Sequence, residues 1–315
     1  MNPTAGVKLG RTDVTVTQLG LGCAPIGGLY EPVSEADARA VVDRAWEQGL
    51  RLFDTAPLYG SGLSERRVGA ALRDRSRNAL VLSTKVGRLL RAGGQPDGMF
   101  EGALPLEPVF DFSFDGVLRS LDDSLERLGL DRVDVVYIHD PDDHFDEALA
   151  GAYPALDRLR SEGVVRAIGV GLNQSELLAR FARETDVDCL LLAGRYTLLD
   201  TSALDALLPL CLERGIAVTA GGVFNSGVLA GNPRYDYAPA QPEILARVAR
   251  LAEICSRWDV PLAAAAVQFP LGHPAVACVL VGCRSSAEVD EDVALFELDV
   301  PSGLWEELQA EGLLP

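Results

Sequence analysis

Apolar residues along the chain fall into two alternating rhythms. Short runs, apolar at nearly every position, occupy 19–21, 52–53, 80–83, 133–138, 167–170, 189–192, 216–219 and 278–281. Strands of that kind are buried on both faces, as a parallel sheet covered by helices requires. Between them, apolar positions recur at helical spacing over 34–48, 64–72, 112–128, 146–161, 175–184, 203–214, 242–258 and 286–295. Ser34, with Asp37 three residues on, marks the start of the first helix, and Gly49 marks its end. A short hairpin, 7–9 with 14–16, opens the chain, and a tail helix over 303–311 ends it. Eight strand–helix units without a break in composition predict an α/β fold. Its form is a (β/α)8 TIM barrel in one domain over residues 1–315, rather than two doubly wound domains. Two Gly- or Pro-rich interruptions, 87–108 and 223–239, each follow a strand and are expected over the C-terminal mouth as binding loops or lids.

Composition narrows the function. The chain has 315 residues, 48% of them apolar, enough for a buried core. Its 28 basic and 46 acidic residues leave a net charge of −18, which argues against nucleic acid, against anionic lipid and against highly anionic substrates. The six cysteines are scattered without metal-site spacing, so no metal is predicted and a reducing compartment is. There is no basic-then-apolar N-terminal segment and no apolar run near the ~18 residues of a membrane helix. A cytoplasmic protein, monomeric or a small homo-oligomer, is expected.

A barrel of this kind places its chemistry at the C-terminal ends of its strands. The second strand ends in Asp54, and Tyr59 follows in Asp54-Thr55-Ala56-Pro57-Leu58-Tyr59-Gly60; the third ends in Lys85 and the fourth in His139. Taken singly, the Asp is a turn residue, the Lys a rim charge and the His a core group. Together, charged groups behind apolar strands must pair or face desolvation. A phenol titrates near ~10, and a neighbouring ammonium is expected to lower that value and make Tyr59 a usable acid/base.

These residues carry a family resemblance. The Asp54/Tyr59/Lys85/His139 spacing, the opening hairpin and the eight-unit order resemble the aldo-keto reductases over nearly the whole chain. The resemblance implies metal-free, NAD(P)-dependent redox chemistry at a carbonyl or alcohol. In it Tyr59 exchanges the proton, Lys85 and Asp54 tune it, and His139 orients the substrate oxygen. The early Gly20-x-Gly22 segment is not a dinucleotide fingerprint, because Pro25 occupies the third glycine position; it is read as a rim turn with Gly22 near the nicotinamide. The late segment Gly282-Cys283-Arg284-Ser285 enters a helix whose amides, hydroxyls and Arg284 suit a phosphate or ribose. By resemblance it grips the adenosine half. Glu288 stands there where NADP users carry a basic or amide residue, and Asp292 where an Asn is usual; the carboxylates favour NAD, with NADP the alternative. Asn173 is assigned to the carboxamide, Gly221 stands where a ring-stacking Tyr is common, and Asn225-Ser226-Gly227 suits the pyrophosphate.

A narrower resemblance, in these departures and in the run Asp140-Pro141-Asp142-Asp143-His144, is to the L-fucose and D-threo-aldose 1-dehydrogenases and the pyridoxal 4-dehydrogenases. It implies oxidation of an aldose hemiacetal to its lactone. The acidic run is either a set of sugar-hydroxyl acceptors or a solvated loop. The alternatives are pyridoxal oxidation, a generic NADP-dependent aldehyde/ketone reductase and, in a different class, a non-catalytic nucleotide-binding regulatory subunit.

Overall fold

A computed structural model describes residues 1–315. The chain opens with an antiparallel hairpin, β1 (Gly6–Lys8) and β2 (Thr15–Thr17). It then lays down β3 (Leu19–Gly22), β4 (Leu52–Asp54) and β5 (Val81–Val86), and leaves for a second hairpin, β6 (Arg88–Ala92) with β7 (Leu106–Phe110). Strands β8 (Val135–His139), β9 (Ala167–Leu172), β10 (Cys189–Ala193) and β11 (Ala217–Gly221) follow. A two-residue ladder, β12 (Arg234–Tyr235) with β13 (Ala238–Pro239), precedes β14 (Val276–Val281). Strands β3, β4, β5, β8, β9, β10, β11 and β14 pair in parallel around a closed barrel, with β14 returning to β3.

Helices α1 (Glu35–Glu47), α2 (Leu63–Leu72), α3 (Phe114–Leu128), α4 (Phe145–Glu147), α5 (Tyr153–Ser161) and α6 (Ser175–Glu184) cover the first half. Helices α7 (Leu207–Arg214), α8 (Pro242–Arg257), α9 (Leu262–Gln268), α10 (Ser286–Glu297) and α11 (Ser302–Ala310) cover the second. Ser34 caps α1 by accepting the Asp37 amide at 3.1 Å, and Gly49 leaves that helix at φ +85°.

Alternation along the strands divides their apolar residues between two cores. Leu82, Val136 and Ile138 face outward and pack with Val41, Leu72 and Val117 of the helices. Leu52, Val81, Val135 and Tyr137 belong instead to an interior cluster with Leu9, Val14 and Val16, so the opening hairpin plugs one end of the barrel. Asp54, Lys85 and His139 share the parity of Leu52, Val81 and Val135. The same alternation that fills the interior therefore aims all three inward at the opposite end.

Three expectations need correction. Residues 146–161 are not one helix: α4 passes into a π turn (Ala148–Ala152) before α5, where Pro154 supplies no amide to the ladder and Gly151 lies against the backbone of Phe112. The helix foreseen over 203–214 splits into a 3-10 turn (Ser202–Leu204) and α7, because Ala206 is non-helical at φ −143°. Helix α9 was not foreseen; its Leu-Ala-Ala-Ala-Ala-Val-Gln sequence has no polar face to reveal a period. The interruption 87–108 holds the β6–β7 hairpin, and 223–239 holds a 3-10 segment (Asn225–Ala230) followed by the two-residue β12–β13 ladder.

Candidate active site

The turn after β4 carries Tyr59 inward. Ser64 ties this turn down, with its hydroxyl 2.8 Å from Thr55 Oγ1 and donating to the Cys23 carbonyl at 2.7 Å. Gly27 packs against the Tyr59 backbone, where an added Cβ would meet its carbonyl carbon at 2.9 Å. Lys85 is 1% exposed, and its Nζ donates to Asp54 Oδ2 at 2.6 Å, to the Thr55 carbonyl at 3.0 Å and to the Tyr59 hydroxyl at 2.9 Å. Ser83 Oγ donates to the other Asp54 oxygen at 2.7 Å. The ring of His139 meets that of Tyr59 edge-on with centroids 5.8 Å apart, and Phe100, from the loop joining β6 to β7, closes over Tyr59 at 5.9 Å. The structure thus brings Asp54, Tyr59, Lys85 and His139 to one place.

The electrostatics correct one expectation. The Tyr59 pKa is not lowered but pushed up to about 12, because burial outweighs the opposing pull of the Lys85 ammonium. Burial works to strip Lys85 of its proton, but Asp54 and Tyr59 prevail and hold its pKa above the ordinary value. Burial, helped by Arg88 and Lys85, drives the His139 pKa well down, so its ring is neutral. A neutral imidazole can donate one hydrogen bond without adding charge. Its Nδ1 is buried without a partner, and its Nε2 stands 3.4 Å from Asp140.

Beside this cluster runs a cleft of about 490 Å³. Tyr59 and Asp54 line it, and so do the expected cofactor residues Gly22, Asn173, Gly221, Asn225, Ser226, Gly227, Gly282, Arg284, Glu288 and Asp292. Ser285 does not: its hydroxyl caps α10, accepting the Glu288 amide at 3.2 Å. Glu288 Oε2 in turn accepts the Arg284 amide at 2.7 Å, so two of the backbone donors expected to meet a phosphate are spent within the chain. What remains unpartnered on the cleft wall is Arg284 Nε and Asn225 Oδ1, both buried. A nicotinamide dinucleotide carries phosphate and ribose oxygens that could accept from Arg284 and N–H or O–H groups that could donate to Asn225, so the residues present fit it.

Sequence reasoning missed several wall residues. Tyr30, Leu29 and Phe224 carry no motif that would have marked them. Asp236 and Tyr237 lie in the second interruption. They take left-handed φ of +46° and +64°, and the strap they form is held by Arg195 on Asp236 at 2.8 Å and by Ser226 on the Tyr237 amide at 2.9 Å.

Residues 18–310 match the model of the aldo/keto reductase family. The chain belongs to that family. It is 45% identical to a pyridoxal 4-dehydrogenase of Microbacterium luteolum, covering 97% of each chain, and 44% identical to a D-threo-aldose 1-dehydrogenase of a Pseudomonas species, covering 96% of each. Among solved structures, the holo form of an aldo-keto reductase from Bacillus halodurans superposes with a TM-score of 0.80 at 28% identity, covering 99% of this chain and 97% of that one. This aldo-keto reductase is accordingly an NAD(P)-dependent oxidoreductase, and the reading as a non-catalytic regulatory subunit falls away.

Proposed function

We propose that this enzyme oxidises the hemiacetal carbon of an aldose to a lactone, with NAD as hydride acceptor. The observation that carries the reading is Lys85 Nζ in simultaneous contact with Asp54 and with the Tyr59 hydroxyl, beside the cleft. When bound, the nicotinamide supplies the site that accepts a hydride. Asn173 and Gly22 would hold its carboxamide end, Asn225, Ser226 and Gly227 its pyrophosphate, and Gly282, Arg284 and Glu288 its adenosine half. In its phenolate form Tyr59 would take the hydroxyl proton, becoming the neutral phenol, as the carbon gives up its hydride. Its phenolate is disfavoured by burial, and Lys85 supplies the compensating charge at 2.9 Å. Asp54 keeps Lys85 charged and in place, and neutral His139 donates to the substrate oxygen.

The aldose assignment is supported by the D-threo-aldose 1-dehydrogenase relative and by a net charge that disfavours phosphorylated substrates. Pyridoxal is the second reading, favoured by the equally similar pyridoxal 4-dehydrogenase. The assay is NADH absorbance over a panel of aldoses and pyridoxal. We expect turnover of at least one aldose, and a loss of at least about a hundredfold in kcat for Tyr59→Phe with cofactor affinity nearly unchanged. Unchanged turnover in Tyr59→Phe would remove the phenol from the mechanism.

A further inference from the structure

The second hairpin delivers an arginine to the reacting end of the barrel. Arg88 follows Gly87 directly after β5, and its guanidinium is 11% exposed. Phe110, its partner across the hairpin, lies beneath it with the ring centroid 4.6 Å from the guanidinium carbon. Arg88 Nη2 donates to Asp140 Oδ2 at 3.1 Å, and Arg88 Nη1 has no partner. The same Asp140 oxygen stands 3.4 Å from His139 Nε2, too far for a strong hydrogen bond.

Asp140 is held there at a cost. It takes φ +43°, a left-handed conformation that residues other than glycine avoid and that Pro141 directly after it makes harder still. Its amide is fixed to the Gly171 carbonyl at 3.0 Å, which pins the turn to the end of β9. Strain of this kind persists where the surrounding structure imposes it, and clusters at functional sites. The rest of the acidic run does other work. His144 packs on Phe110 at 4.9 Å and pairs with Glu147 at 3.1 Å, while Asp143 is exposed. Asp140 alone of that run approaches His139, and it remains 32% exposed.

We propose that Arg88 and Asp140 form a subsite for the substrate hydroxyl that neighbours the reacting carbon, which in an aldose is the C2 hydroxyl. This deepens the aldose reading and rests on it. A carboxylate only accepts and a guanidinium only donates, so the group that satisfies both edges of the pair is one that does each, a hydroxyl. An anion there would meet Asp140, and a cation would meet Arg88. The 3.4 Å between His139 Nε2 and Asp140 Oδ2 then sets two adjacent oxygens of one substrate side by side: the reacting oxygen on His139 and its neighbour on Asp140.

The test compares kcat/KM for an aldose and for its 2-deoxy counterpart in the wild type and in Asp140→Asn. The wild type should prefer the parent aldose at least tenfold, since a site built around a hydroxyl leaves its own groups unpaired when the hydroxyl is missing. Asp140→Asn should lose at least tenfold more on the aldose than on the deoxy sugar, largely through KM. Equal losses on both sugars, or a wild type indifferent to the C2 hydroxyl, overturn the subsite while leaving the aldose reading in place. Turnover of pyridoxal but of no aldose overturns the aldose reading instead; the subsite is then judged by the same ratio on pyridoxal and its 3-deoxy analogue, with equal losses again fatal to it.

Discussion

A carboxyl buried beside other carboxyls is kept by the folded protein in its neutral form. Asp292 is 9% exposed on the cleft wall and accepts from Cys283 Sγ at 3.3 Å. Burial, and after it the charges of Glu288 and Glu291, push its pKa up to about 7 against the hydrogen bond from Cys283. An unfolded Asp titrates near ~3.9. Between those two values the folded state holds a proton that the unfolded state has released, so stability falls as pH rises from about 4 to about 7 and stays low above. Asp292→Asn should flatten that limb of the Tm–pH curve and be more stable than the wild type at pH 8, by up to a few kcal/mol. A wild-type curve with the same slope as the variant's refutes the buried-proton account. Below neutrality Asp292 presents an O–H, the donor that an Asn amide would provide. At this scale Asp54, Lys85 and His139 were legible because strand ends are legible, and Tyr59 because it follows Asp54 in the next turn. Which way Tyr59 titrates was not, since local sequence gives the ammonium but not the burial that outweighs it. Arg88 was illegible for a related reason: it reaches the site by way of a hairpin whose pairing is set by contacts distant in the chain.

Helix packing depends on where backbones approach, and glycine marks one such place. Gly69, buried in α2, lies so near the last turn of α3 that an added Cβ would collide with the Leu128 carbonyl. Alanine improves helix propensity over glycine by about 1 kcal/mol. Against that, a backbone clash at a packed crossing costs ~1–3 kcal/mol because neither helix can turn a side chain aside. The clash should prevail: Gly69→Ala is expected to lower the denaturant midpoint with the m-value unchanged. A variant as stable as the wild type or more so would show that α2 and α3 can part without cost. All eight barrel strands were legible, since each is a short run bounded by turns and buried on both faces. The boundaries that moved did so at Pro154 and Ala206, where a missing amide or a non-helical backbone breaks an otherwise apolar period. The ladder of β6 with β7 was lost among Gly and Pro, because Arg88–Ala92 and Leu106–Phe110 are half-buried and pair across thirteen intervening residues.

Cofactor choice belongs to the whole molecule, because long-range charge acts alongside the contacts. The cleft is lined by Arg284 but also by Glu288 and Glu291, and by Asp54 and Asp236, which pair with Lys85 and Arg195, inside a protein of net charge −18. The 2′-phosphate of NADP adds about two negative charges to the ligand, and near that wall the unpartnered Arg284 Nε is the one buried donor left to meet them. Glu288 already accepts the Arg284 amide, which fixes its carboxylate on this wall, and on the proposed binding mode that charge would favour a ribose hydroxyl over a phosphate. A ligand at a hundred times its Kd stabilises a fold by about 2.7 kcal/mol, and each tenfold weaker binding removes about 1.4 kcal/mol of that. NAD should therefore raise Tm more than NADP at equal concentration, by roughly 2–4 °C for a tenfold difference in affinity. Added salt should narrow the gap by screening the cleft, and Glu288→Gln should narrow it further, since the amide keeps an oxygen for the Arg284 amide and loses the charge. Equal shifts from the two cofactors at low salt would show that Arg284 offsets the surrounding carboxylates, and the NAD preference would be wrong.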